Sequence, residues 1–286
     1  PSGQTLTYGE LAQRMKQPKA SRAIGQALGK NPFPIIVPCH RVLAGGGKSG
    51  GFSAPGGVTT KMNILRIEGA LAADRDGFEY NPLEAMSYLQ QSDKKLAKII
   101  KQVGPPRLEI RQTSSVFVAL AQAITYQQLS TKAAATIFGR VCDLCPGGRR
   151  GLNAKNILKL SMDELRGTGL SNNKALAIID LATRSLAGEV PGLSKLRRMG
   201  DDAIVDTLTK VRGIGRWTVE MMLITRLGRG DVMAVADLGL RQGHAIVVGR
   251  SGETDRKTLM AYAERWRPYR SVASWYLWRA VDLKRS

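Results

Sequence analysis

Apolar residues recur at helical spacing along most of the chain. After residue 200 they stand at Ile204, Leu208 and Val211, three or four positions apart, and similar spacing follows residue 216. Residues at this spacing share one face of a helix, so the pattern predicts helices over 201–210 and 216–227. The same reasoning predicts further helices over 5–15, 22–28, 92–103, 114–128, 130–144, 172–186 and 258–283. Strand signals are few, and the chain is therefore predicted to be mainly α.

The turn between the predicted helices 201–210 and 216–227 contains two glycines one residue apart, Gly213 and Gly215. Such glycines allow a tight hairpin. The hairpin leaves backbone N–H groups at the start of the second helix, where they can hold a phosphate. A dinucleotide-binding fingerprint does not fit, because it needs a glycine at Thr218 and a preceding strand. An ordinary helical turn is the alternative interpretation, but a carboxylate at the end of an apolar run, Asp237, favours a functional site.

Several separated motifs resemble those of the helix-hairpin-helix DNA glycosylases, in particular the 3-methyladenine type that acts on alkylated bases. The matching segments are Ile124–Ser130, Gly213–Thr218, Asp237–Arg241 and Trp266–Ser271. The resemblance runs from about residue 81 to the C-terminus and implies an all-α glycosylase domain.

The resemblance implies the chemistry of the second part of the chain. Asp237 would be the catalytic carboxylate, because one negative charge beside the sugar stabilises the cation that forms as the base leaves. An electron-deficient alkylated base would stack on aromatic faces, as a cation does. The residues implied for this base pocket are Tyr126, Trp217 and Trp278. Another pocket aromatic of the family is replaced by Met221, which leaves the substrate range open.

Two segments are implied to contact DNA. The hairpin would hold the DNA backbone through Gly213, Gly215 and Arg216. A second segment would insert a wedge into the gap that a flipped base leaves in the duplex. The candidates for this wedge are Gln127, Gln128 and Leu129, and the sequence does not distinguish them.

Strand cleavage and metal binding are not expected. Relatives that also cut the strand carry a Schiff-base lysine directly after the Gly-Arg of the hairpin, and here that position is Trp217. Cys142 and Cys145 form a CxxC pair, but a structural zinc needs four ligands. The iron–sulfur cluster of some relatives needs four cysteines after the hairpin, and none follows. We therefore expect no metal and no cofactor.

The first seventy residues contain two short predicted helices, which suit either a helix-turn-helix or a plain helical pair. An apolar run over 33–37, predicted as a strand, leads into Cys39, His40 and Arg41. A thiolate is a nucleophile, and nearby positive charge favours it. A cysteine is otherwise commonly a small buried apolar residue.

This first stretch resembles the DNA-binding half of the O6-alkylguanine-DNA alkyltransferases. The matching segments are Thr7–Ala12, Arg22–Gly25, Asn31–Pro32, Pro38–Val42 and Glu68. By this resemblance Cys39 accepts the alkyl group once and is not regenerated. His40, acting through a water and backed by Glu68, would draw off the thiol proton. The base must be flipped out of the duplex, since a stacked base cannot present its alkyl carbon to sulfur.

The same resemblance assigns DNA contacts in this part. Arg22 would occupy the space left by the extruded guanine, Tyr8 would press on the phosphate of the flipped nucleotide, and Asn31 would lie in a hinge under the site. Two departures from the family concern the pocket wall, where extra residues 54–57 follow Phe52-Ser53, and the family's amino-terminal domain, which has no counterpart in the sequence. Whether alkyl transfer survives these departures is open.

The glycine-rich segment at residues 45–51 is interpreted as a DNA-contacting wing or a plain loop. A phosphate-binding loop that ended in Gly47-Lys48-Ser49 would need glycine where Val42 stands, and the strand-then-helix context is missing.

Charge indicates the kind of partner. The chain has 43 Lys and Arg against 23 Asp and Glu, for a formal net charge of +20, which favours a nucleic acid. No apolar run approaches the ~20 residues of a membrane span, so a membrane partner is not expected. Three cysteines do not make a disulfide framework, which fits a reducing compartment. The expected partner is double-stranded DNA carrying alkylated bases, bound by a monomer. The expected location is the bacterial cytoplasm, on the nucleoid, or a eukaryotic nucleus.

The sequence thus predicts two domains. Residues 1–72 would form a small winged-helix-like alkyltransferase domain, and residues 78–286 the all-α glycosylase domain, joined by a polar junction at 72–77. The predicted function is repair of alkylated DNA by base excision and by alkyl transfer to Cys39. Two alternatives remain: a DNA-binding sensor in which alkylation of Cys39 changes promoter affinity, and a glycosylase for oxidised or mismatched bases.

Overall fold

A computed structural model describes residues 4–45, 49–55, 57–68, 78–111, 113 and 115–285. The chain forms two compact units, one made of Pro1–Ile110 with Leu223–Ser286 and the other of Arg111–Met222. The predicted junction at 72–77 and the middle of the glycine-rich segment, residues 46–48, lie outside the described residues. The domain boundary at this junction therefore stays a prediction.

The first unit opens with short elements around a two-stranded parallel sheet. Leu6 pairs with Val42 and Thr7 with Leu43. Thr7 also caps the first helix, because its hydroxyl accepts from Glu10 N while the Glu10 carboxylate accepts from Thr7 N. The elements are β1 (Leu6–Thr7), α1 (Tyr8–Arg14), α2 (Ser21–Gly29), a 3-10 turn (Cys39–Arg41), β2 (Val42–Leu43) and α3 (Gly57–Ile67).

The predicted strand at 33–37 is wrong. This segment forms a turn with one isolated bridge between Pro34 and Val37, and Ile36 is 84% exposed. Proline lacks the N–H that a ladder requires, and Pro34 lies inside the run with Pro38 directly after it. Ile35 has a φ of 80°, which is incompatible with a strand. The helix predicted over 5–15 likewise starts later, because its first residues belong to β1.

The rest of the described chain is helical, and the mainly α prediction is confirmed. The helices are α4 (Pro82–Ser92), α5 (Lys94–Val103), α6 (Val116–Tyr126), α7 (Thr131–Asp143), α8 (Ala154–Ile157), α9 (Met162–Gly167), α10 (Asn172–Leu186), α11 (Leu193–Arg198), α12 (Asp201–Leu208), α13 (Arg216–Thr225), α14 (Leu238–Val247), α15 (Arg256–Ala263) and α16 (Arg270–Arg285). Further 3-10 turns occupy Gly148–Arg150 and Glu264–Trp266. None of the helices in the described residues combines the length and apolar character needed to cross a membrane.

One long helix predicted over 258–283 is wrong, because two helices stand there. α15 ends at Ala263 and α16 begins at Arg270. Pro268 interrupts the backbone hydrogen bonding between them. Apolar spacing continues on both sides of this break, which is why the pattern alone did not show it.

The core of the first unit is built around α14 and α16. Gly243 permits their close approach, since a Cβ at this position would lie 2.1 Å from the Leu277 carbonyl oxygen. Buried Trp266 donates its indole N–H to Asp93 Oδ2 at 3.0 Å, and Asp93 in turn caps α5. The approach of Gly243 to Leu277 places the middle of α14 against the middle of α16.

In the second unit α10 is the central helix, packed against α6, α8 and α9. Its buried residues are Ala175, Ala177, Ile178, Leu181 and Ala182. The hairpin between α12 and α13 and the turn after α6 both belong to this unit.

Candidate active sites

Cys39 lies buried at the start of the 3-10 turn, with 5% of its surface exposed. The Asn31 Nδ2 donates to Cys39 Sγ at 3.0 Å and to the Val37 carbonyl oxygen at 3.1 Å. Its Oδ1 accepts from Phe33 N at 3.1 Å. Asn31 is 8% exposed, and these side-chain hydrogen bonds join it to neighbouring segments of the chain and not to an open surface. These contacts fit the hinge role that the resemblance implied.

The Glu68 carboxylate contacts the side chains of both residues that follow Cys39. His40 Nε2 lies 3.1 Å from Glu68 Oε1, and Arg41 donates to both carboxylate oxygens at 2.6 and 2.8 Å. The hydrogen bonds from Arg41, followed by those from His40, lower the pKa of Glu68 to about 2. Glu68 is therefore ionised at neutral pH and fixes the Nε2–H tautomer of His40. His40 Nδ1 is buried and has no hydrogen-bond partner within the described residues.

A pocket of about 300 Å³ opens above Cys39. Tyr8, Phe52 and Ser53 line it together with glycines of α2 and Gly51. Despite the extra residues after Ser53, the Phe52-Ser53 pair thus forms part of the pocket wall. Tyr8 is half-buried, and burial first, then the neighbouring Cys39, raises the pKa of its hydroxyl. Arg22 lies exposed in the first turn of α2, where it can reach a duplex.

Sequence reasoning missed Lys61, which is fully buried and contacts the backbone of the pocket wall. Its Nζ donates to the Val42 carbonyl oxygen at 2.8 Å and to that of Gly51 at 3.2 Å. Burial lowers the pKa of Lys61 to about 8, while the nearby Cys39 acts in the opposite direction. Lys61 thus ties the strand after the active-site turn to the pocket wall. A lysine within a helix gives no signal of such a contact.

Asp237 is the N-cap residue of α14. Its Oδ1 accepts from Leu240 N at 2.9 Å and from the Trp278 indole N–H at 3.0 Å. The side chain of Asp237 is half-buried, so it is held in place and still reachable. Two residues from the predicted set, Asp237 and Trp278, are therefore brought together within the first unit.

Gly239 is a second residue that sequence reasoning did not single out. A Cβ at this position would lie 3.0 Å from Trp278 Cδ1 and 3.1 Å from Asp237 Oδ1, closer than ordinary van der Waals contact. Glycine at 239 therefore leaves room for the Asp237–Trp278 contact. Gly239 lies in the motif Asp237–Arg241, so the sequence did mark this position. The need for a glycine there follows only from the folded structure, in which Asp237 and Trp278 approach it.

The second unit holds the hairpin and the predicted wedge. Gly213 has a φ of 76°, which requires a residue tolerant of the left-handed region. The Arg216 guanidinium is ion-paired with Glu220 at 2.9 Å and with Asp202 at 3.3 Å. Its predicted DNA contact therefore competes with two carboxylates. Burial raises the pKa of Glu220, and the Arg216 pairing works against that rise.

The remaining predicted residues of this unit differ in exposure. Gln128 and Leu129 are exposed, while Gln127 is half-buried. Tyr126 packs edge-on against Phe138 with ring centroids 6.4 Å apart. Trp217 lies in the first turn of α13 and is 42% exposed. Cys142 and Cys145 are buried free thiols, and burial raises the pKa of both.

The mainly helical fold, the glycine hairpin and a carboxylate that caps a helix are the features of a helix-hairpin-helix base-excision protein, and a cysteine site of the alkyltransferase type precedes them. Residues 121–268 match the model of the HhH-GPD superfamily base excision DNA repair proteins. Residues 1–70 match the DNA-binding domain of 6-O-methylguanine DNA methyltransferase. The chain belongs to the HhH-GPD superfamily of base excision DNA repair proteins, and DNA is its partner.

Comparisons with individual proteins cover the two parts separately. DNA-3-methyladenine glycosylase 1 of Schizosaccharomyces pombe is 30% identical over 198 residues, which span 69% of this chain and 86% of the relative. The solved structure of that organism's 3-methyladenine DNA glycosylase Mag1 with abasic DNA matches with a TM-score of 0.62 and 29% identity, over 68% of this chain and 95% of that one. A methylated-DNA–protein-cysteine methyltransferase of Methanosarcina acetivorans is 49% identical over 70 residues. That match spans 24% of this chain and 44% of the relative.

Proposed function

We propose that this chain repairs alkylated double-stranded DNA through two separate chemistries. One is hydrolytic excision of alkylated purines at Asp237, and the other is a single transfer of an alkyl group from O6-alkylguanine to Cys39. The protein acts as a monomer on chromosomal DNA, in the bacterial nucleoid or in the eukaryotic nucleus. The observation that carries the proposal is that Cys39 and Asp237, the two proposed reaction centres, both have hydrogen-bond partners that position them.

Excision needs little from the protein beyond one placed carboxylate. Alkylation of a purine ring nitrogen leaves the base cationic, so the glycosidic electron pair departs readily with it. The sugar becomes an oxocarbenium-like cation, which the Asp237 carboxylate stabilises until a water adds to it. The leaving base stacks on an aromatic face, by attraction between its positive charge and the π-electrons, and Trp278 offers such a face next to Asp237.

Alkyl transfer uses Cys39 as the nucleophile. His40 Nδ1 is the ring nitrogen left to accept the thiol proton, through a water, because Nε2 is held by Glu68. The thiolate sulfur attacks the alkyl carbon, the carbon–oxygen bond breaks, and the electron pair stays with guanine O6. Guanine takes up one proton at N1, which balances the proton that the thiol lost. The product is a thioether, which is a poor leaving group, so each molecule reacts once.

The two activities supply controls for each other. A duplex with 3-methyladenine or 7-methylguanine is tested for base release, and a duplex with O6-methylguanine is tested by intact-mass analysis of the protein. Asp237→Asn should lose base release and keep methyl uptake, while Cys39→Ala should do the reverse. Asparagine caps helices as well as aspartate, so the first variant keeps its fold.

Several results would overturn the proposal. Excision of oxidised or mismatched bases alone would favour a different glycosylase. Methylation of Cys39 without any base release, together with altered affinity for one DNA sequence, would favour a sensor. Full excision by Asp237→Asn would show that another group is catalytic.

A further inference from the structure

The turn that follows α6 has an unusual backbone. Gln128 has a φ of 54°, in the left-handed region that a non-glycine residue adopts rarely. Such a conformation persists when the surrounding structure enforces it. The residues that enforce it here come from α10 and from the glycine hairpin of the same unit.

Lys174 holds the turn from one side. Its Nζ donates to the Thr125 carbonyl oxygen at 2.9 Å and to the Gln127 carbonyl oxygen at 2.7 Å. The last carbonyls of a helix have no intrahelical donor, and a cation there interacts favourably with the helix dipole. Lys174 is half-buried, and this burial lowers its pKa. Because the Lys174 ammonium donates to two backbone carbonyls, it has a structural role within this unit.

Gln127 joins the turn to the hairpin. Its Nε2 donates to the Gly213 carbonyl oxygen at 2.8 Å, across 86 positions of sequence. The amide of Gln127 is therefore engaged with the protein. The exposed side chains of the turn are those of Gln128 and Leu129.

The same face of α10 also contacts the hairpin. A Cβ at Gly213 would lie 3.3 Å from the Cβ of Ala177, and Arg212 N donates to Asp180 Oδ2 at 2.8 Å. Lys174, Ala177 and Asp180 follow one another at intervals of three residues, so they lie along one side of the helix.

We propose that Lys174, Ala177 and Asp180 form a brace that fixes the wedge turn relative to the DNA-binding hairpin, with Lys174 as the main positioning residue. In this arrangement Gln127 anchors the turn, and the duplex wedge is supplied by Gln128 and Leu129. The inference rests on the proposed glycosylase function, because it explains how the two DNA-contacting segments are kept ready to flip a base. A turn held in advance does not have to be ordered when DNA binds, which reduces the cost of binding.

The test compares Lys174→Met with Lys155→Met, a matched change at an exposed lysine of α8. Methionine keeps most of the aliphatic stem and removes the donors. Single-turnover base release from a 7-methylguanine duplex should fall at least tenfold in Lys174→Met and stay unchanged in the control. A 2-aminopurine beside the lesion should report less base flipping. Lys174→Arg should restore part of the rate, since a guanidinium can also donate to carbonyls.

Affinity for undamaged duplex separates the brace from a direct phosphate contact. Loss of a phosphate contact weakens binding to all sequences and lowers the salt slope by about 1. The brace predicts an unchanged salt slope in Lys174→Met. A reduced slope with an unchanged flipping signal would overturn the inference.

Hydrogen exchange provides a measurement that does not depend on activity. Amides of residues 127–129 and 212–215 should exchange faster in Lys174→Met and in Gln127→Ala than in the wild-type chain. Equal exchange in all three proteins would contradict the brace. Wild-type protein that releases no base from any alkylated duplex would contradict the proposed function instead, while the exchange result would still decide the inference. If Lys174→Met does not fold, Gln127→Ala provides the same comparison.

Discussion

The indole N–H of Trp278 donates a hydrogen bond to Oδ1 of Asp237 at 3.0 Å. The same oxygen accepts from Leu240 N at the start of α14. Two donors from different helices therefore fix one oxygen of the proposed catalytic carboxylate, which sets the direction of the other. Trp278 thus has two proposed roles, as a face of the base pocket and as a positioning residue for the carboxylate.

Trp278→Phe separates these roles, because phenylalanine keeps a ring and loses the N–H. A hydrogen bond to a charged group contributes about 1.5–3 kcal/mol, so we expect single-turnover base release to fall roughly ten- to hundredfold. Affinity for product DNA should change little. Trp275→Phe is the matched control, since the ring of Trp275 contacts Tyr276 and Arg279. Equal losses in both variants would show that the effect is general destabilisation of α16.

Gly239→Ala tests whether the contact between Asp237 and Trp278 depends on the space that glycine leaves at position 239. The new methyl would lie 3.0 Å from Trp278 Cδ1 and 3.1 Å from Asp237 Oδ1, so one of the two side chains must move. We expect a loss of excision comparable to that of Trp278→Phe, measured in the same assay.

A control for this change is Gly167→Ala, at the end of α9, where an added Cβ meets nothing within 4 Å. Its activity should equal that of the wild-type chain. Full activity of Gly239→Ala would show that α14 and α16 accommodate the methyl without disturbing the carboxylate.

The sequence predicted residues that lie in short motifs better than residues whose role depends on tertiary contacts. The hairpin glycines and Asp237 lie in short motifs whose chemistry depends on neighbours in the chain, so they could be recognised. The contacts of Lys61 and Lys174 depend on carbonyls brought near by folding, and no spacing rule reports them. Gly239 was visible as part of a motif, but its need for empty space was not.

The two wrong element predictions have a common cause. Hydrophobicity alone suggested a strand at 33–37 and one helix at 258–283. In both cases proline removed backbone donors that the element would need, at Pro34 and Pro38 in the first and at Pro268 in the second. Apolar character in the first segment did not lead to burial, since Ile35 and Ile36 are exposed.

The Arg41–Glu68 pairing predicts how stability depends on pH. Hydrogen bonds to Arg41 and His40 lower the pKa of Glu68 from 4.5 to about 2 in the folded chain. A lowered carboxyl pKa means that the stabilisation is complete above pH 4.5 and is lost as the pH falls towards 2. The difference in melting temperature between the wild-type chain and Glu68→Gln should therefore be largest above pH 5 and shrink below it.

Other carboxylates also titrate in this range, so a control is needed. Glu109→Gln changes an exposed carboxylate for which the structure records no salt bridge within the described residues, and its melting temperature should follow that of the wild-type chain. A Glu68→Gln difference that stays constant down to pH 2 would contradict the pairing. The accessibility of Cys39 to a thiol reagent provides a local readout, and it should rise in Glu68→Gln at neutral pH.

Trp217 is the first residue after the Gly-Arg of the hairpin, and it bears on whether the DNA strand is cut. Glycosylases that cleave the strand form a Schiff base with a lysine at this place, and here Trp217 offers an exposed ring instead of an amine. We therefore expect base release without strand cleavage. The duplex should stay intact after the reaction and break only on treatment with alkali. Borohydride should trap no covalent complex between protein and DNA, whether the lesion is 3-methyladenine or 7-methylguanine. A trapped adduct that persists in Asp237→Asn would show that an unidentified amine attacks the sugar, and the assignment of Asp237 as the group that stabilises its charge would then have to be abandoned.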